Sequence, residues 1–581
     1  MRDLLATAIG MSAFAGAALL GPDRLLPGRP GRGAPGFGAR RPPPPRRRAP
    51  SPRRGSGPAP PGGARWARRR DLGPLVVPRG GSGPAPPGRL VLGWSGRRLV
   101  AAERAQSVIV FGPTQSRKTS GFAVPAILGW SGPVIATSIK TDLIERTIDH
   151  RRARGEVQVF DPSGSTGLGS VAWSPLPAAR TWPGARRAAA GLTEVARASV
   201  GTMSDGDFWY ATATRVLGPL LFAAAFGGCD MGDVVRWVDT QEEAEVLDLL
   251  AAAGVPEATD AARSAFGKEE RQRSSIYTTV ETILDPFAVD RDDPGRPDDR
   301  PLDPADLLGG DNTLYVCAPA HDQRRLTPLF VSVVRGAVEH VYDGVARTRR
   351  PLDPPLLIVL DEAANIAPLA DLDALASTAA GHGVQLVTVW HDLAQITARY
   401  GARATTVVNN HRAKLFLSGI SDPSTLDYAS HLIGEAELTV SATTLGDGRP
   451  STTRSPSIRR LAPPDALRRT APGEGVLVYG DLAPARLRLR TWSSDPELRP
   501  RGTEDLTPRR RRRLRRLLSA PSPRSRPAPP SRRGRRAWRR RTPRPTGWSG
   551  RGGRATRTPA PPAPPPPPVG RSAPSWRRTP P

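Results

Sequence analysis

Ser107-Val108-Ile109-Val110-Phe111-Gly112-Pro113-Thr114-Gln115-Ser116-Arg117-Lys118-Thr119 is the stretch on which the fold turns. It opens as a short apolar β-type run, breaks at a glycine, and closes on Lys-Thr before a segment, Ser120–Gly129, that reads as the start of a helix. A strand, a loop of this length and a helix form the frame of a phosphate-binding loop, G-x-x-x-x-G-K-[ST]. Its backbone N–H groups wrap the phosphates, and the positive end of the following helix faces them. Gly112, Pro113, Thr114, Gln115, Ser116, Arg117, Lys118 and Thr119 would form the cradle, with Lys118 on the β/γ-phosphates and the Thr119 hydroxyl on Mg²⁺. One position departs from the pattern. Arg117 stands where the second glycine belongs, and a side chain there must strain or displace a loop that passes close to the phosphates.

A second signal lies far along the chain. Leu356–Leu360 (LLIVL) runs straight into Asp361-Glu362. Two adjacent carboxylates at the mouth of a buried strand suit nucleotide hydrolysis: the first holds Mg²⁺ and the second polarises the attacking water. The next apolar run, Val384–Val389, ends in Trp390-His391-Asp392, and a polar side chain at that tip is placed to sense a γ-phosphate. The site predicted from sequence has Lys118, Glu362 and His391 as catalytic residues, Thr119 and Asp361 as metal ligands, and ATP with Mg²⁺ as cofactors.

Working outward, Val134–Ser138, Val157–Phe160, Thr313–Cys317 and Lys414–Leu417 repeat the continuous apolar pattern, while Val476–Tyr479 and Arg486–Arg490 read as closing edge strands. Continuous apolar runs joined by helices predict an α/β fold with a mainly parallel sheet covered on both faces. The strand pattern stops over 181–289, where Phe208–Phe226, Asp233–Ala253 and Glu269–Phe287 read as helices, so an all-α domain is inserted into the sheet domain formed by 91–180 and 290–498.

The charge divides the chain along the same lines. Its net charge is +30, yet residues 22–90 hold 16 Arg and 2 acids, and residues 499–581 hold 25 Arg and 2 acids, so 91–498 carries −7. The folded part is therefore not a basic nucleic-acid-binding surface by net charge. Two cysteines, Cys229 and Cys317, exclude a disulfide scaffold and a Cys-rich zinc site. The flanks are Pro-, Gly- and Arg-rich, with GSGPAPPG at 55–62 and again at 81–88, and read as disordered. They form either polybasic arms for DNA or anionic lipid or a neutral compositional drift. Leu4–Gly21 is an uncharged run of 18 residues. As a helix it would span ~27 Å against a hydrocarbon core of ~30 Å, which predicts a single-pass anchor over 1–21. A cleaved signal peptide and a start codon set too far upstream are the alternatives. The arginines that follow would keep the downstream part cytoplasmic.

Taken in order, several blocks together resemble one family. They are AQSVIVFGPTQSRK at 105–118, TSIKTDL at 137–143, WSPL at 173–176, DFWY at 207–210, LDEAANIAP at 360–368, VTVWHDLAQITARY at 387–400 and NNHRAKLFLSGIS within 408–421. The chain resembles the TraG/TraD-like type IV secretion coupling proteins, of actinobacterial type, over about residues 95–490. The later block looks like the segment called the TraM recognition site. The resemblance implies a RecA-like P-loop ATPase with an inserted all-α domain and an N-terminal membrane helix, which assembles as a homo-hexamer at the cell membrane. It implies ATP-driven delivery of a relaxase–DNA complex to the secretion channel, and therefore DNA, relaxase and channel proteins as partners. Two further readings remain: a double-stranded DNA translocase of the FtsK type, and a catalytically silent docking platform, which Arg117 would favour. His391 stands where the family usually has Gln. No arginine finger is assigned; Arg399, Arg403 and Arg412 are the candidates.

Overall fold

The computed structural model describes residues 63–78, 86–168, 170–200, 206–288, 301–319, 321–446, 449–501 and 508–518. Thirteen strands appear among them. In chain order these are β1 (Val91–Ser95), β2 (Arg98–Ala101), β3 (Val108–Phe111), β4 (Val134–Ser138), β5 (Val157–Phe160), β6 (Thr313–Cys317), β7 (Leu356–Leu360), β8 (Val384–Trp390), β9 (Ala413–Leu417), β10 (Glu435–Gly446), β11 (Arg449–Arg460), β12 (Glu474–Tyr479) and β13 (Ala485–Arg488). Eleven of them make one sheet, in the order β2-β1-β13-β12-β9-β3-β8-β7-β4-β6-β5. From β9 to β5 all neighbours pair in parallel, and from β9 outward through β12, β13, β1 and β2 they pair antiparallel.

Every residue of β3, β4, β5, β6, β7 and β8 is buried, as the unbroken apolar runs require of strands covered on both faces. One face packs Ile109, Phe111, Ile358 and Leu360 beneath the helix Gln323–Thr348. The other packs Val108, Val110, Leu357 and Val359 beneath Val124–Gly129 and Asp142–Arg154.

Between β5 and β6 the chain forms the helical domain, running from Trp182–Val200 to Glu270–Leu284. Its core gathers on Gly206–Gly227, where Val216, Leu217, Leu220, Leu221 and Phe222 are buried. The helix expected over Asp233–Ala253 is two helices, Met231–Asp239 and Ala244–Ala253. The break falls where Gln241 turns left-handed at φ +49°.

Three expectations need revision. The spacer expected to be disordered over 22–90 is packed over 63–78 and 86–90: Leu72, Leu75 and Leu90 are buried, and Val76 bridges to Val100. The tail assigned to 499–581 contains a helix, Pro508–Leu518, with Leu514 buried in the second core and Arg510 paired with Asp149. The antiparallel ribbon β10–β11 was not foreseen. Among the described residues no helix is long and apolar enough to cross a membrane. The expected anchor over 1–21, and the arginine-rich stretches 22–62 and 519–581, lie outside the described residues.

Candidate functional site

Strand register brings the separate motifs to one place. Phe111 aligns with Trp390 and Leu360 with Thr388, so β3, β8 and β7 leave the sheet side by side at their carboxyl ends. Such crevices are where ligands bind in open α/β sheets. The loop after β3 starts with the Gly112 N–H donating to the Trp390 carbonyl (2.9 Å). A Cβ at Gly112 would fall 2.5 Å from Ser116 Oγ, so the loop can fold this tightly only around glycine. It then runs into a helix whose first turn, Thr119–Ala123, is wound wide.

Five of the predicted side chains meet here. The Thr119 hydroxyl donates to Asp361 Oδ2 (2.9 Å), Lys118 Nζ lies 3.0 Å from His391 Nε2, and Glu362 Oε1 lies 4.0 Å from the same nitrogen. Lys118 is a donor only, so His391 Nε2 accepts and its ring is neutral. Burial, then the neighbouring Lys118 charge, lowers the His391 pKa. Burial also lowers that of Lys118, against the pull of Glu362 and Asp361. Asp361 is 5% exposed, and burial pushes its carboxyl up to about 7, although the Thr119 bond and Lys118 both pull it down.

Two polar atoms indicate what the site can hold. Ser116 Oγ and Asp361 Oδ1 are both buried without a hydrogen-bond partner. Buried polar atoms seldom stay unpaired, and here the missing partners fit a phosphate oxygen and a divalent cation. Among the described residues no cluster of three or more His, Cys, Asp or Glu could hold a metal alone. Thr119 and Asp361 would therefore share a cation with ligand phosphates, as Mg²⁺ sites usually do.

A cleft of about 330 Å³ runs past Thr114, Gln115, Arg117, Lys118, Thr119, Asp361 and Glu362. It is also lined by Ser138, Lys140, Asp142, Arg146 and Trp492, to which the sequence reading gave no role. Trp492 in particular sits beyond the last strand, with no motif to mark it. A larger cavity, about 660 Å³, lies in the helical domain against Trp182, Arg186, Val216 and Pro219, but it collects no comparable set of reactive groups.

The three arginine-finger candidates stand elsewhere. Arg399 reaches the Pro368 carbonyl (3.4 Å), Arg403 pairs with Asp373 (3.2 Å), and Arg412 pairs with Glu103 (3.0 Å) over the Tyr479 ring.

Comparison with known proteins places the chain in a family. The conjugal transfer protein TraG of Escherichia coli is 24% identical over 417 residues, covering 64% of this chain and 63% of TraG. Protein VirD4 of Rhizobium radiobacter is 25% identical over 364 residues, covering 59% of this chain and 50% of VirD4. The chain thus spans between half and two thirds of these relatives. Among solved structures, the plasmid coupling protein TrwB in complex with a non-hydrolysable GTP analogue is similar in fold, with a TM-score of 0.50 at 16% identity, over 72% of this chain and 99% of TrwB. A family model, type IV secretory system conjugative DNA transfer, matches residues 86–505, well over half of the sequence and the whole of the sheet and helical domains, and the chain belongs to that family.

Proposed function

We propose that the chain is a P-loop ATPase that drives DNA, as a relaxase–DNA complex, into a type IV secretion channel. One observation carries this reading: Lys118, Thr119, Asp361, Glu362 and His391 converge at three adjacent strand ends around two unpaired buried oxygens, Ser116 Oγ and Asp361 Oδ1. Lys118, now against His391, turns to the β/γ-phosphates when nucleotide enters. Thr119 and Asp361 would hold Mg²⁺, which supplies positive charge to the phosphates and offsets the burial of Asp361. Glu362 orients and polarises the attacking water, and His391 stands beside it on the γ-phosphate side. Membrane anchoring through residues 4–21, assembly into a homo-hexamer and docking to channel proteins belong to the same reading, and family membership supports them.

The test is MgATP turnover by the chain with and without DNA, in the parent and in Glu362→Gln. The variant should keep nucleotide affinity while turnover falls about 10²–10⁴-fold, the usual loss for a general base. Parent-level turnover in Glu362→Gln would remove Glu362 from the mechanism. A parent chain that binds but never hydrolyses would favour the silent docking platform.

A further inference from the structure

One residue that lines the nucleotide cleft, Trp492, is covered by no sequence motif. It is half-buried there, and its backbone N–H donates to the Ser120 carbonyl (3.2 Å), one residue after Thr119. The backbone at Trp492 is thereby tied to the first turn of the helix that leaves the phosphate loop. Arg146, on the helix Asp142–Arg154, also lines the cleft and sets its guanidinium 5.5 Å from the centre of the indole ring.

The segment that carries Trp492 is held rigid on both sides. Arg490, only 7% exposed, makes a two-pronged bond to Asp495 (2.7 and 2.8 Å) and a third to Glu497 (2.9 Å). Asp495 in turn accepts the backbone N–H of Glu497 (3.0 Å). Upstream, the Leu489 N–H donates to the Gly473 carbonyl (2.8 Å), and the Leu489 side chain fills the space beside Gly121, where a Cβ would come within 2.9 Å of it. Bidentate, largely dehydrated Arg–carboxylate pairs fix geometry as well as charge. Here they fix a flat aromatic surface beside a phosphate loop, with a cation over it.

We propose that Trp492, flanked by Arg146, is the platform on which the nucleotide base stacks, and that the site takes purine nucleoside triphosphates in preference to pyrimidine ones. This rests on the phosphate-site reading of residues 112–119. A base is a flat π-surface, and an indole face with a guanidinium nearby offers both stacking and cation–π attraction. The larger ring system of a purine covers more of the indole than a pyrimidine does.

The experiment is competitive displacement of a fluorescent ATP analogue, with Mg²⁺ present, by ATP, CTP and inorganic tripolyphosphate on the full chain. In the parent, ATP should bind several-fold more tightly than CTP. Trp492→Ala should weaken ATP by about tenfold to a hundredfold, as loss of one stacked aromatic does. It should also close the ATP/CTP gap and leave tripolyphosphate unchanged, and Trp492→Phe should recover most of the ATP affinity. Unchanged tripolyphosphate binding shows that the loop is still folded. If Trp492→Ala weakens tripolyphosphate and ATP alike, Trp492 is only structural and the platform is excluded. If ATP affinity survives in Trp492→Ala but is lost in Lys118→Ala, the phosphate site stands and the base platform falls. A parent chain that binds neither ATP nor tripolyphosphate overturns both.

Discussion

Half of the left-handed non-glycine residues among the described residues, three of six, line the nucleotide cleft. They are Gln115, Arg117 and Glu362, all at φ +67°, a left-handed conformation that side chains resist. Strain of this kind persists where surrounding structure over-determines it, often at functional sites. Arg117 shows how. The sequence suggested that arginine in place of glycine would strain or displace the loop. The backbone takes the strained option, a left-handed turn, and the side chain extends toward Gly473, where a Cβ would come within 3.3 Å of its Nη1. The strain is therefore borne by the loop's own fold. Relief of ~1–2 kcal/mol, less ~0.5–1 kcal/mol for glycine's greater chain entropy, leaves Arg117→Gly more stable by ~0–1.5 kcal/mol. If the loop keeps this backbone with nucleotide bound, ATP affinity should change by less than about tenfold, a span of ~1.4 kcal/mol. Urea unfolding and nucleotide titration of the variant check both halves. A less stable variant would show that Arg117 makes a contact worth more than the strain.

Elements differ in how plainly the sequence announces them. The parallel strands were legible because β-branched and apolar residues run unbroken through each, as in LLIVL at 356–360, and burial on two faces leaves no other use for such a run. The acid pair and the phosphate loop were legible for the same reason, since each begins where a run stops. The ribbon β10–β11 was hidden by its second strand: Ala436, Leu438, Val440 and Ala442 alternate with polar residues along β10, but Arg, Ser and Thr fill nine of the twelve positions of β11, so no second alternating run marks a partner. The packed segment at 63–78 was hidden by its Pro-, Gly- and Arg-rich neighbours, and Trp492 by lying in a turn held through ion pairs distant from any motif.

Burial also gives one element a pH signature. His411, at the end of the helix Ala404–Asn410, is fully buried; its Nδ1–H donates to the Val407 carbonyl (2.7 Å) and its Nε2 accepts from Thr388 (3.1 Å). Burial lowers its pKa to about 4. The unfolded value is ~6.5, so the unfolded chain binds the extra proton first. The stabilisation is complete above pH ~6.5 and is lost as pH falls toward 4. At ~1.4 kcal/mol per pKa unit this amounts to about 3 kcal/mol from one residue. Unfolding midpoints in urea should drop between pH 7 and 5, and His411→Gln should flatten that drop. An equal drop in the variant would exclude His411 as its source.

At the scale of the whole molecule, an acidic folded body lies between two strongly basic ends, and the C-terminal end is not uniform. Residues 508–518 belong to the body: Leu514 is in the core beside the sheet, and Arg510 pairs with Asp149. Deleting all of 499–581 would therefore strip packing as well as charge and confuse the two. The informative truncation removes 519–581, which takes away 16 arginines and no acidic residue while keeping the helix. If these arginines contact DNA, each phosphate they neutralise releases counterions and adds ~0.9 to the slope of log affinity against log salt. The truncated chain should then bind DNA more weakly at low salt, with a slope shallower by several units, while its unfolding midpoint and its MgATP turnover without DNA match the parent. DNA-stimulated turnover should require a higher DNA concentration but reach the same maximum, because the nucleotide site is untouched. An unchanged slope would mean that the tail makes no phosphate contacts and that DNA is held by the folded body. With −7 over residues 91–498, that body would need basic residues gathered locally along a channel rather than spread over its surface.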